Sequence, residues 1–159
     1  MAAVSFLALT DVDEVRGALG IDSNDIDDDA MINMHPEEDL QSDLLIWAPT
    51  YQTIMSEGLG AAPTADQALK YLKLKIYAKY FVSALFASSG INSILQKKSD
   101  GSNEGARFTN IDLNELREYL KGRADALKEE LMVIIDPTLD TTYDHFGSAS
   151  PNYDPVTNE

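Results

Sequence analysis

A chain of 159 residues, 44% of them apolar, is long enough for one modest core and too apolar for a disordered chain. It has no cysteine, which excludes a disulfide framework, a thiolate nucleophile and a cysteine metal site, and no run approaches the roughly 18 apolar residues of a membrane span. The net charge of −15 is unevenly placed: residues 1–63 hold thirteen acids against Arg16 alone, residues 64–135 carry +2, and residues 136–159 hold five acids with no lysine or arginine. The whole chain is therefore expected to repel nucleic acid, while its middle segment is suited to dock on the acidic part of a neighbouring copy.

Taken in order, Ala2–Leu9 is apolar but lacks a basic leader and runs directly into acids, a poor pattern for a secretory signal. Thr10, with an acid three positions later at Asp13, predicts a helix start, and Val12, Val15 and Leu19 continue at helical spacing before Gly20, giving a short helix over about 10–19. The acids of 25–29 predict a second start, with Ile26, Ala30 and Met31 behind them. His35-Pro36 interrupts that pattern, and Pro36 opens the next helix, whose face is Leu40, Leu44 and Trp47. Residues 50–57 are expected to continue as a kinked helical turn closed by Gly58 and Gly60.

The clearest helix follows Pro63-Thr64, where Thr64 and Gln67 form a capping-box pattern, and runs to about Ser88. Leu69, Leu72, Ile76 and Tyr80 make one apolar stripe and Leu74, Tyr77, Phe81 and Leu85 another, which predicts a central helix or one buried on both a core side and a subunit side. Lys70, Lys73, Lys75 and Lys79 fill the remaining surface, reaching for solvent or an acidic neighbour, and are the candidate subunit-interface residues. Between 91 and 108 a loop or β-hairpin excursion is expected around Lys97, Lys98, Asp100, Gly101 and Arg107, with Asp100-Gly101 as its turn. Thr109 or Asn110 then caps a last long helix with Leu113, Leu116, Leu120, Leu127, Leu131 and Ile134 facing the core, ended by Pro137. The expected fold class is mainly α: a small helical bundle over 1–135 with that excursion and an extended C-terminal arm over 136–159.

The arm cannot fold alone, since it holds three prolines and only scattered apolar residues. Its aromatics Tyr143, Phe146 and Tyr153, with His145 and Pro155 beside them, suit a partner surface, where burial of each aromatic contributes about 1.5–3 kcal/mol. Motifs of chemistry are weak by comparison. Asp25, Asp27 and Asp29 alternate like the opening of a calcium loop, but Ala30 stands where glycine is needed and Pro36 where a bidentate glutamate belongs, so a helix start favoured by the dipole is the better reading. His35 and His145 are far apart and lack metal-site spacing. Gly58-Leu59-Gly60 lacks the third glycine and the preceding strand of a dinucleotide site and reads as a hinge. No pattern argues for catalysis, and no cofactor is expected. Lys97 and Lys98 lack the interleaved aromatics of a nucleic-acid surface and read as a solvated loop.

In order, Leu9-Thr10-Asp11-Val12-Asp13-Glu14-Val15-Arg16-Gly17-Ala18-Leu19-Gly20-Ile21, the acidic start Asp25-Ile26-Asp27-Asp28, the long helix Leu69–Ser88, the loop at Asp100-Gly101 and the closing helix Leu113–Ile135 resemble a head-to-tail connector (adaptor, or head-completion) protein of tailed bacteriophages. The resemblance covers most of residues 9–135. It implies a small helical structural protein of the virion, without enzymatic activity, forming a ring, usually of twelve subunits, beneath the portal protein. Such a ring joins the head to tail or neck proteins and lets genomic DNA pass without sequence-specific binding. The resemblance implies that the 91–108 loop faces the channel or the next ring, that the arm clasps the portal or an adjacent subunit, and that the protein is assembled in the host cytoplasm. An acidic channel wall would let DNA slide without sticking, and the −12 and +2 segments offer complementary surfaces to neighbours. The alternative expectation is a small acidic helical interaction protein that uses its arm as a peptide ligand for a regulatory partner.

Overall fold

The computed structural model describes residues 5–21, 23, 25–88 and 113–137. Its first element is one the apolar pattern of residues 2–9 did not announce: β1 (Ser5–Phe6) pairs antiparallel with β2 (Thr10–Asp11), Ser5 opposite Asp11 and Phe6 opposite Thr10. The connecting turn puts Leu7 and Ala8 at φ 51° and 55°, a conformation that costs a side-chain-bearing residue roughly 1–2 kcal/mol. Burial of the flanking Phe6 and Leu9, at 2% and 0% exposed, offsets that cost.

Because Thr10 belongs to the strand pair, the cap of helix α1 (Val12–Leu19) falls one residue later than expected: Asp11 is that cap, accepting from the Glu14 amide at 2.8 Å, while the Thr10 hydroxyl donates to Glu14 Oε2 at 2.9 Å. Gly20 ends the helix at φ 71°, as its position predicts. Asp27 caps the short α2 (Asp28–Ile32), accepting from the Ala30 amide at 2.7 Å, so one acid of the calcium-like run is a helix cap. His35 adopts φ 51°, and Pro36 stands at the first turn of α3 (Pro36–Trp47), which realises the predicted interruption and restart. Residues 50–57 fall mostly in a separate helix, α4 (Tyr51–Gly58), set off from α3 by Ala48–Thr50.

Helix α5 (Ala65–Ser88) is central, packing against β2, α1, α3, α4 and the last helix α6 (Leu113–Ile135). The predicted capping box is formed reciprocally: the Thr64 amide donates to Gln67 Oε1 at 2.9 Å and the Gln67 amide to Thr64 Oγ1 at 3.2 Å. Lys73 pairs with Glu130, and Arg123 lies 5.6 Å from the Tyr80 ring, so α5 and α6 run antiparallel. The core is filled from α1 by Val12 and Val15, from α3 by Leu40 and Leu44, from α5 by Leu74, Tyr77, Val82 and Phe86, and from α6 by Leu120, Leu127 and Leu131. The protein is thus mainly helical, a small bundle with a two-stranded hairpin. The expected excursion at 91–108 and its cap at Thr109 or Asn110 lie outside the described residues, as does the arm beyond Pro137.

Candidate interaction surfaces

Where α3, α5 and α6 meet, one carboxylate gathers donors from all three helices. Asp43 accepts from Trp47 Nε1 at 2.6 Å, from Lys128 Nζ at 3.2 Å and from the Tyr77 hydroxyl. Trp47 meets Tyr77 edge-on at 5.0 Å between centroids, and the Lys128 ammonium lies 5.5 Å from the Trp47 ring. Burial, and then the bond to Asp43, push the Tyr77 hydroxyl well above the usual tyrosine range, so it stays a donor. An acceptor already engaged by three donors is arranged to hold helices together. The sequence signal for it is the i,i+4 spacing of Asp43 and Trp47, which the place of Trp47 on an apolar face masks.

Arg16 supplies a second polar centre. Its side chain is 6% exposed; Nη2 donates to the Ile26 carbonyl at 2.6 Å and pairs with Asp28 at 2.6 Å, and Nη1 stands 3.4 Å from Asp13. The one base of the acidic first 63 residues thus fastens Ile26 and Asp28 to α1. Among the described residues its Nε has no hydrogen-bond partner.

The four lysines of α5 all engage residues of their own chain. Lys70 pairs with Asp66 at 2.8 Å, Lys73 with Glu130, Lys75 with Glu14 at 3.9 Å, and Lys79 lies 4.9 Å from the Tyr80 ring. Lys73 and Lys75 therefore join α5 to α6 and α1, and all four side chains remain partly accessible. Lys97, Lys98, Asp100, Gly101 and Arg107, and Tyr143, His145, Phe146, Tyr153 and Pro155, lie outside the described residues.

Among the described residues, large apolar side chains stand in solvent at three places. Leu45 and Ile46 project from α3, 52% and 78% exposed; Tyr119 projects from α6; Leu59, Leu69 and Leu72 stand at the α4–α5 corner, 61%, 43% and 54% exposed. At that corner the helices approach so closely that a Cβ on Gly58 would meet Tyr71 Cβ at 2.3 Å. The first predicted stripe of α5 therefore buries only part of its length: Leu69 and Leu72 face outward, whereas Ile76 and Tyr80 are half-buried. An open cavity of about 210 Å³ lies between the start of α3 and the end of α5, lined by Met34, Pro36, Asp39, Leu85, Phe86 and Ser88. Among the described residues no cluster of three or more histidine or acidic side chains is arranged to hold a metal ion, and no helix is long and apolar enough to cross a membrane. Comparisons with family profiles, curated proteins and solved structures return no match for this chain.

Proposed function

We propose that this protein is a structural adaptor of a tailed-phage particle, a ring subunit that joins the portal to the tail or neck and leaves a passage for DNA. The observation that carries the reading is the separation of apolar side chains into exposed sites on α3, on α6 and at the α4–α5 corner. Single exposed leucines are ordinary on a monomer, but a subunit with a neighbour on each side, and a further partner above or below, needs several separate contact areas. The crossing α5–α6 pair supplies a stiff wall element, held by Lys73–Glu130 and the Asp43 junction. Sequence order supports the same reading, through the resemblance of residues 9–135 to head-to-tail connectors.

In this role the body performs no bond chemistry. Its excess negative charge keeps the duplex from adhering during passage, and the arm past Pro137 engages the portal. Electron microscopy of assembled necks tests the proposal. Twelve-fold density for this chain between portal and tail is the expected result; particles whose portal-to-tail junction lacks the chain overturn it.

A further inference from the structure

The exposed Leu69 and Leu72 of α5 stand close to the point where the chain leaves the bundle. Lys73 opposite Glu130 and Tyr80 opposite Arg123 set the register of α5 against α6. In that register Leu69 stands level with Ile134, and Pro137 falls level with Asp66, the second residue of α5. From there Leu72 is about 9 Å along the helix axis. The 22 residues that follow Pro137 carry Tyr143, Phe146 and Tyr153. Five of them, extended, reach about 17 Å, enough to place the first aromatic over Leu72.

Charge points the same way. Lys75 and Lys79 continue the face of Leu72 at i+3 and i+7, whereas the segment from Asp136 onward holds five acids and no base. The pairing of Lys75 with Glu14, at 3.9 Å, is long enough to yield to a closer carboxylate.

We infer that the C-terminal segment 138–159 docks on the Leu69–Leu72 face of α5 in its own chain, its aromatics covering the leucines and its acids meeting Lys75 and Lys79. A short tether makes this contact intramolecular, with an effective concentration in the millimolar range, so it forms before any second copy or other partner competes. The surface is then covered in the free subunit and released when the segment is drawn away. This inference does not depend on the adaptor reading, because its test is made on the isolated full-length chain.

The absence of cysteine gives a clean background for cross-linking. Ala68→Cys lies exposed on the Leu72 face, four residues before it, and Thr142→Cys leaves Tyr143 intact. The control pairs Thr142→Cys with Glu129→Cys, exposed on α6 at about 12 Å along the axis from the same exit point. Under mild oxidation the Ala68→Cys pair is expected to close within one chain at least ten-fold faster than the control, independent of protein concentration. Adding Leu69→Ser and Leu72→Ser should remove that advantage; circular dichroism checks that this variant, altered within α5 only at exposed positions, stays folded. Equal rates for the two pairs overturn the inference, as does an advantage that survives the serine changes. Products joining two chains also overturn it, since they place the segment on a second copy.

Discussion

Asp43 and Arg16 are the two polar centres of the described structure, and they do different work. The donors to Asp43 come from Trp47 on its own helix, from Tyr77 on α5 and from Lys128 on α6, positions up to 85 residues apart in the chain. The partners of Arg16 all lie within twelve residues of it, at Asp13, Ile26 and Asp28. One centre fixes how helices sit against each other; the other fixes the path of a connection. The first therefore belongs to the tertiary structure and the second largely to local sequence, although both are built from a partly or fully buried charge.

The comparison breaks most directly at Asp43. Asp43→Ala leaves the Tyr77 hydroxyl and the Lys128 ammonium without their shared acceptor at a half-buried site, and should cost about 2–3 kcal/mol in urea unfolding. A loss of under about 0.5 kcal/mol would show that water replaces the carboxylate freely.

A smaller effect is expected from Tyr77→Phe, about 1 kcal/mol at neutral pH. This variant also tests the raised pKa. The folded state keeps the Tyr77 proton at pH values where the unfolded chain releases it, so stability contributed by this group is complete below the ordinary tyrosine value near 10 and declines as pH rises above it. Replacing Tyr77 should flatten that alkaline decline, and unfolding midpoints between neutral and alkaline pH measure it.

The smallest change is expected at Arg16. Arg16→Met keeps the packed stem, removes a cation whose Nε is unpartnered among the described residues, and releases Asp13 and Asp28 to water, where both are already more than half exposed. Stability should move by less than about 1 kcal/mol, while hydrogen exchange in residues 21–27 should rise. Global destabilisation as large as that of Asp43→Ala would erase the distinction between the two centres.

Local signals were legible wherever a rule acts within one turn of chain. Thr64 and Gln67 cap α5 as their spacing predicts, Gly20 ends α1, and His35-Pro36 divides α2 from α3, because capping bonds and the left-handed or proline backbone are decided by neighbours in sequence. The β1–β2 hairpin was not legible. Its turn uses Leu7 and Ala8 where glycine or asparagine is the usual signal, and only the burial of Phe6 and Leu9 in the bundle makes that turn worthwhile. Nor could periodicity say that Leu69 and Leu72 of one α5 stripe would stand in solvent while Leu74 and Tyr77 of the other are buried, since both stripes have helical spacing and the choice depends on where α1, α4 and α6 lie.

By itself, then, the sequence determined that this is a mainly helical protein with a central α5, a long closing helix and an acidic, base-free C-terminal segment, because helical periodicity, caps and charge are local properties. Only the tertiary structure decided that Asp43 unites three helices, that Lys73 and Lys75 are used within the chain, and that Leu69 and Leu72 remain at the surface near the exit of α6. Those outcomes depend on the register and crossing of elements far apart in sequence, fixed only when the core packs.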